Sequence, residues 1–196
     1  LRLVPPKPYK DNDNYVKVAG RLAKELKNIN NQGVVWANQF DNIANSKGHY
    51  ETTGPEIWMQ TDGKIDGFVC SSGTGGTIAG VSSFLKEKNK NIKIYLSDPA
   101  GSSLYNYVEN GELKGEGNSI TEGIGTGRIT KNFEKALIDE AFQVNDVEAL
   151  NIVYDLIEKQ KIVLGGSSGI NIGGAIKFAK KMGPGKTIVT ILCDHG

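Results

Sequence analysis

An excess of charge of one sign is missing from this sequence. Its 23 lysines and arginines face 22 aspartates and glutamates, a formal net charge of +1. That balance removes the electrostatic footprint that nucleic acid or an anionic membrane surface would need, so any partner is recognised locally. Cysteine is scarce too. Cys70 and Cys193 stand far apart in apolar, strand-like runs, with neither metal-type nor redox-type spacing. A disulfide framework and a metal site are excluded on that ground, and both residues read as reduced core positions of a cytoplasmic chain. No apolar run approaches the roughly 18 residues of a membrane span, and the opening "LRLVPPKPYK" has no signal-peptide apolar region. There is no repeat of fixed period and no low-complexity segment. The sequence opens without methionine and closes on the strand-like "TIVTILCDHG", which reads as a fragment.

Glycine is what it has in excess. The 25 glycines among 196 residues are nearly twice the usual share of about 7%, and they gather where apolar runs meet helical patterns. The length fits one domain or parts of two. "DNDN" at 11–14 offers N-caps to a helix with Tyr15, Val18, Ala19, Leu22, Ala23 and Leu26 at helical spacing. "GVVWANQF" (33–40) predicts a short strand running into a polar loop. Thr53 and Pro55 open a short helix around Glu56 to Met59. "IDGFVCSS", "IKIYLSDP", "AFQV", the "KIVL" at 161–164 and "KTIVTILC" predict strands, with helices over "TIAGVSSFLKEK", from Asn145 to Gln160, and after "GGSSG". The stretch 100–127 has little periodicity, and loops that long are commonly functional. Strands alternating with helices predict an α/β fold: an open, mostly parallel twisted sheet flanked by helices.

In such sheets ligands sit beyond the carboxyl ends of the strands, where glycines let backbone N–H groups approach an anion at a helix N-terminus. Gly73, Thr74, Gly75, Gly76 and Thr77 occupy such a place. The loop fails the dinucleotide fingerprint, because the third glycine position is Ile78, and it fails the P-loop pattern because no lysine follows. Two threonine hydroxyls beside glycine amides suit a compact phosphate monoester. A tight strand-to-helix turn accounts for the glycines equally well, and for "GGSSG" a turn with Ser167 or Ser168 as cap accounts better.

The stretch "NQFDNIANSKGHYETTGPEIW", taken with "GTGGT" and the later "GGSSG", resembles the cysteine synthase (O-acetylserine sulfhydrylase) branch of the pyridoxal-phosphate-dependent β-family, fold type II, tryptophan synthase β-like. The resemblance runs in order across nearly the whole chain. It implies that pyridoxal 5'-phosphate is the cofactor, its phosphate held by Gly73, Thr74, Gly75, Gly76 and Thr77. Ser167 would hold the pyridine nitrogen, and a hydroxyl there leaves that nitrogen largely unprotonated. Gln39 would bind the substrate α-carboxylate through a neutral amide, and Gly123 belongs to a loop that closes over substrate. The implied reaction takes O-acetylserine and sulfide to cysteine and acetate. A homodimer and docking of serine acetyltransferase are implied in the same way, with no role for nucleic acid or membrane.

Departures from the family pattern stand beside the matches. Ile43 and Ser46 replace prolines of the "NPANP" loop. Arg128 adds a charge near the mouth of the site, where it would adjust substrate choice. His195 stands where the family often has a serine near the ring. His49, Tyr50 and Glu51 read as a structural loop between two domains. Gly165-Gly166-Ser167 is closer to cystathionine β-synthase, and "YETTGPE" closer to cysteine synthase, so cystathionine β-synthase-like chemistry and a non-catalytic phosphate-binding fragment remain alternatives. The Schiff-base lysine and the substrate-gripping serine/threonine-glycine-asparagine loop are expected upstream of residue 1, which leaves no catalytic residue in this chain. Residues 1–40 are then the C-terminal part of a small mobile domain, with an exposed sheet edge, and 41–196 a large cofactor-binding domain.

Overall fold

A computed structural model describes residues 2–195. Gly67–Cys70 (β1) is buried along its whole length, as a parallel strand covered on both faces must be. Beside it lies β2 (Lys93–Pro99), with Gly67 opposite Lys93 and Cys70 opposite Leu96. β3 (Glu140–Val144) pairs with β2, and the short β4 (Ile188–Thr190) with the other side of β1. All pairings are parallel in the order β3-β2-β1-β4, which is the open α/β sheet expected. The chain runs outward from β1 to β3 and then returns to the far side of β1. Strand order therefore reverses at β1, and a crevice opens beyond its carboxyl end.

Seven α-helices accompany the sheet in the described residues: α1 (Tyr15–Lys27), α2 (Ala44–Glu51), α3 (Thr53–Gln60), α4 (Gly76–Lys88), α5 (Leu104–Asn110), α6 (Asp146–Gln160) and α7 (Gly166–Met182). Helices α3 and α4 cover one face, where Ile57, Phe68, Ile78, Leu85, Ile94 and Leu96 form the main core. The other face meets α7 through Val69, Tyr95 and Phe178, with the Tyr95 and Phe178 rings 4.1 Å apart. Phe68 and Phe178 are fully buried, and each contributes about 2–3 kcal/mol of transfer free energy. Helix α6 rests against α7 near Val144, Ala149 and Ile170. Caps fall where the sequence puts them: Asn14 accepts from Val16 N at 3.1 Å, and Asn145 from Glu148 N at 2.9 Å. No described helix is long and apolar enough to cross a membrane.

Several local expectations are corrected. Residues 33–40 are not a strand: the segment lies outside the sheet, with Val35 95% exposed. Its apolar alternation is real, but a strand exists only through a hydrogen-bonded neighbour. Residues 161–164 likewise form no strand of the sheet, and Lys161 is left-handed (φ +60) as the cap of α6. His49, Tyr50 and Glu51 lie in α2 rather than in a loop. That helix is held by packing on α4, which comes so close that a Cβ on Gly80 would meet Ser46 O at 2.3 Å. Helix α5 lies within the stretch expected to be irregular, and β4 is shorter than its apolar run. Cys70 is buried as expected, whereas Cys193 is exposed.

Candidate functional site

The loop from β1 into α4 occupies the reversal point. Gly75 precedes the helix with φ +86, and Gly76 opens it; a Cβ on Gly76 would lie 1.9 Å from Asn45 Oδ1, so glycine is required there. The first intrahelical bond is Ala79 N to Gly75 O. The amides ahead of it have no intrahelical acceptor, and the helix dipole adds positive potential at the same place. Around them the loop is tied down from three sides. Asn45 Nδ2 donates to Thr74 Oγ1 at 3.0 Å and to Gln39 O at 2.8 Å. Thr130 Oγ1 donates to Thr74 O at 2.7 Å. His49 Nε2 lies 3.1 Å from Thr77 Oγ1, and its Nδ1 2.9 Å from Thr53 Oγ1.

The protonation of that last chain follows from the environment. Burial lowers the His49 pKa, so the imidazole is neutral at neutral pH and one ring nitrogen donates while the other accepts. If Thr77 is to offer its proton to an anion, its oxygen accepts from His49 Nε2–H, and Nδ1 then accepts from Thr53 Oγ1. Gly76 N donates to Thr74 Oγ1 at 3.3 Å, so the donor set is the other amides at the helix start plus the Thr74 and Thr77 hydroxyls. It fits a phosphate group.

A strap of residues 119–125 closes the next side. Ser119 Oγ donates to Asp146 Oδ1 at 2.5 Å and Ile120 N to Asp146 Oδ2 at 2.9 Å, which fixes the strap to the start of α6. Its other end lies on the β1 loop: Gly125 N donates to Ser72 O at 2.9 Å, and the Gly123 carbonyl touches Gly73. Between them Thr121 faces Gly166 at the start of α7. Ser167, 8% exposed, donates to Asp194 Oδ1 at 3.1 Å and lines a cavity of about 300 Å³ with Thr121, Glu122 and Asp194. Buried Asn171 stitches the same corner, accepting from Ser71 N at 2.6 Å and donating to Ile191 O at 2.7 Å.

The residues singled out from sequence are thus linked: Gln39 backbone through Asn45 to Thr74, Gly73 to Gly123, and the strap to Gly166 and Ser167. The Gln39 side chain is exposed. Its backbone is pinned by buried Asn132, whose Nδ2 donates to Gln39 O at 3.0 Å and Phe40 O at 2.8 Å. His195 is exposed beside Asp194. Arg128 does not present a free charge. It is bidentate with Asp41 at 3.0 Å and 3.0 Å, and its guanidinium lies over the Tyr9 ring. Burial alone would raise the Asp41 carboxyl, but hydrogen bonds from Arg128 and Lys131 N outweigh it and hold the pKa below its usual value.

At the carboxyl end of β2 stands a second polar cavity, about 260 Å³, lined in part by Pro99, Ser102, Ser119 and Gly125. Fully buried Asp98 supports that wall. Its Oδ2 accepts from Tyr105 N at 2.8 Å in the first turn of α5, while Oδ1 has no protein partner. Burial pushes the carboxyl up to about 6. Sequence reasoning passed over Asn45, Asp98, Asn132, Asn171 and Asp194, and took His49 only as a loop fixture. The signal present was polar residue type beside glycine motifs, which does not name a distant partner.

Comparison with known proteins gives the site its context. The sequence profile of the family described as pyridoxal-phosphate dependent enzyme matches residues 2–194. Cysteine synthase 1 of Neurospora crassa is 45% identical over 196 aligned residues, 97% of this chain and 51% of that protein. Cysteine synthase of Dictyostelium discoideum is 47% identical over 171 residues, 82% of this chain and 45% of that protein. The crystal structure of O-acetylserine dependent cystathionine beta-synthase from Helicobacter pylori superposes with a TM-score of 0.76 at 31% identity, covering 89% of this chain and 55% of that one. The chain spans about half the length of the curated relatives it matches.

Proposed function

The chain belongs to the pyridoxal-phosphate-dependent enzyme family, and on that premise we propose that it forms the phosphate- and ring-binding part of a cysteine synthase. The reaction is replacement at a β-carbon: sulfide sulfur bonds to the carbon, the bond to the acetoxy oxygen breaks, and acetate leaves with that oxygen. Bound pyridoxal phosphate supplies the electron sink for loss of the α-proton and of the β-substituent. The observation that carries the reading is the loop Gly73–Thr77, which opens a 13-residue helix at the point where strand order reverses.

Each residue then has a task. The amides around Gly75 and Gly76 and the Thr74 and Thr77 hydroxyls hold the phosphate, with His49 fixing the direction of the Thr77 proton. Ser167 meets the ring nitrogen, the Gln39 amide takes the substrate α-carboxylate, and the strap at Gly123 excludes water when substrate is in place. No lysine lines either cavity at the strand ends, and the base that removes the α-proton is assigned outside residues 1–196. Residues 1–40 are assigned to the end of a small domain and 41–196 to the large one. A cytoplasmic homodimer that docks serine acetyltransferase belongs to the same proposal.

A second reading has one observation in its favour, the likeness to an O-acetylserine dependent cystathionine beta-synthase. Mass analysis of products from the complete polypeptide, given pyridoxal phosphate and O-acetylserine with either sulfide or homocysteine, separates the two. Cysteine formed faster than cystathionine supports the first reading; the reverse order replaces it with the second, and neither product removes both.

A further inference from the structure

We propose that Asn45 is a positioning residue for the cofactor phosphate: its side-chain amide fixes the Thr74 hydroxyl so that the proton points out of the loop, toward the anion. The inference rests on the reading that the turn from β1 into α4 receives that phosphate. It starts at a backbone carbonyl. Gln39 O can only accept, so the end of the Asn45 amide that lies 2.8 Å from it is the nitrogen and not the oxygen. The same nitrogen lies 3.0 Å from Thr74 Oγ1, which takes its second hydrogen. Gly76 N donates to Thr74 Oγ1 as well, at 3.3 Å. A hydroxyl has two lone pairs and one proton. Both lone pairs are engaged, and what Thr74 still offers is a donor.

Asn45 is held where it can do this. It stands in the first turn of α2, and glycine at position 76 leaves room for its side chain against the start of α4. Buried Thr130 donates through Oγ1 to Thr74 O at 2.7 Å and fixes the backbone that carries the hydroxyl. Four residues on from Asn45, on the same face of α2, His49 Nε2 meets Thr77 Oγ1 at 3.1 Å. One helix face therefore reaches both hydroxyls of the cup. Through Gln39 O, Asn45 also ties the cup to the residue proposed to take the substrate α-carboxylate.

Charged side chains near the cup do not take over this task. Burial lowers the His49 pKa and leaves the imidazole neutral at neutral pH. Asp41 and Arg128 pair with each other, Lys131 is exposed, and the first turn of α4 holds no acidic residue. A donor aimed at a phosphate favours its doubly charged form, and a lone pair in the same place disfavours it. The direction of one proton thus bears on the ionisation of the bound group.

The test uses pyridoxine 5'-phosphate, which carries the ring and phosphate but no aldehyde and so needs no lysine to bind. Its phosphorus NMR resonance reports loss of the second phosphate proton and is followed against pH for the wild-type chain, Asn45→Leu, Thr74→Val and the double variant. His49 and the neighbouring charges are common to all four and cancel in the comparison. In the wild-type chain the bound phosphate becomes doubly charged at a pH roughly half a unit or more below that of the free probe, whose second pKa is about 6. Asn45→Leu, which lets the Thr74 hydroxyl turn, and Thr74→Val each remove part of that shift. In the double variant the loss is no larger than in Thr74→Val alone. A residue with a merely structural role would weaken binding without moving the titration. An Asn45→Leu or Thr74→Val titration equal to wild type, losses that add in the double variant, or a wild-type titration at or above that of the free probe overturns the inference. Should Asn45→Leu not fold, the isosteric Asn45→Asp decides: its carboxylate draws the Thr74 proton toward itself, so it raises the titration more in the wild-type background than in Thr74→Val, and equal rises overturn the inference. Failure of the wild-type chain to bind the probe instead overturns the site assignment, and the inference with it.

Discussion

Asp98 gives a stability prediction that can be worked through. The carboxyl is fully buried with Oδ1 unpartnered, and burial raises it to about 6 from the ordinary aspartate value of about 4. The folded state therefore holds this proton more tightly than the unfolded chain does. Between about pH 4 and pH 6 the native protein binds more protons than the unfolded one, so stability falls as pH rises through that window and is flat above it. Roughly two pKa units at about 1.4 kcal/mol each give a loss of about 3 kcal/mol. Asp98→Asn cannot titrate and still accepts from Tyr105 N, though its amide N–H bonds, left unpaired, cost about 1–3 kcal/mol at every pH. The variant's stability relative to wild type, measured by urea unfolding, should thus improve by about 3 kcal/mol between about pH 4 and pH 7. Taking the difference between the two proteins cancels the other carboxylates. Parallel pH profiles would refute the reasoning and show that Oδ1 reaches water or a donor.

Three further outcomes are expected. Asn171→Leu leaves Ser71 N and Ile191 O without their side-chain partners; a loss of about 3 kcal/mol, or about 10 °C in Tm, is expected by scanning calorimetry, and an unchanged Tm contradicts it. His49→Phe keeps the bulk in α2 but frees the Thr77 hydroxyl, so inorganic phosphate should raise Tm less in the variant than in wild type; equal shifts would remove His49 from the site. Arg128→Met unpairs the half-buried Asp41 carboxylate and withdraws the cation from Tyr9, which should cost about 2–3 kcal/mol and speed proteolysis within residues 1–40. Unaltered cleavage there would mean that the pair does not secure that segment.

How far the sequence carried can be seen element by element. Helices α1, α4 and α6 were legible because caps and apolar spacing are local signals, β1 and β2 because buried strands carry apolar runs, and β3 because Ala141, Phe142 and Val144 stand out between polar neighbours. Residues 33–40 and 161–164 carry the same strand-like pattern yet form none, since pattern describes a side-chain surface and pairing needs a second backbone. Helix α2 was missed because "SKGHYE" has no apolar stripe; its place is fixed by contact with α4, which no local window contains. The glycine loops of the site were legible as turns. Their fastenings were not: Asn45 meets Thr74 across 29 positions, His49 meets Thr77 across 28, Ser167 meets Asp194 across 27 and Asn171 meets Ser71 across 100. Such pairs exist only after the fold does.

The central claim, that the turn from β1 into α4 holds the phosphate of the cofactor, is tested most directly by thermal unfolding with pyridoxal phosphate present and absent. Wild-type protein is compared with the Thr74→Val, Thr77→Val double variant. Ligand at about one hundred times its dissociation constant stabilises the folded state by about 2.7 kcal/mol, so the wild-type Tm should rise by roughly 5–10 °C. In the variant, which keeps the shape of the cup but lacks both hydroxyls, most of that rise should disappear. An equal rise in the two proteins would place the phosphate elsewhere and contradict the account.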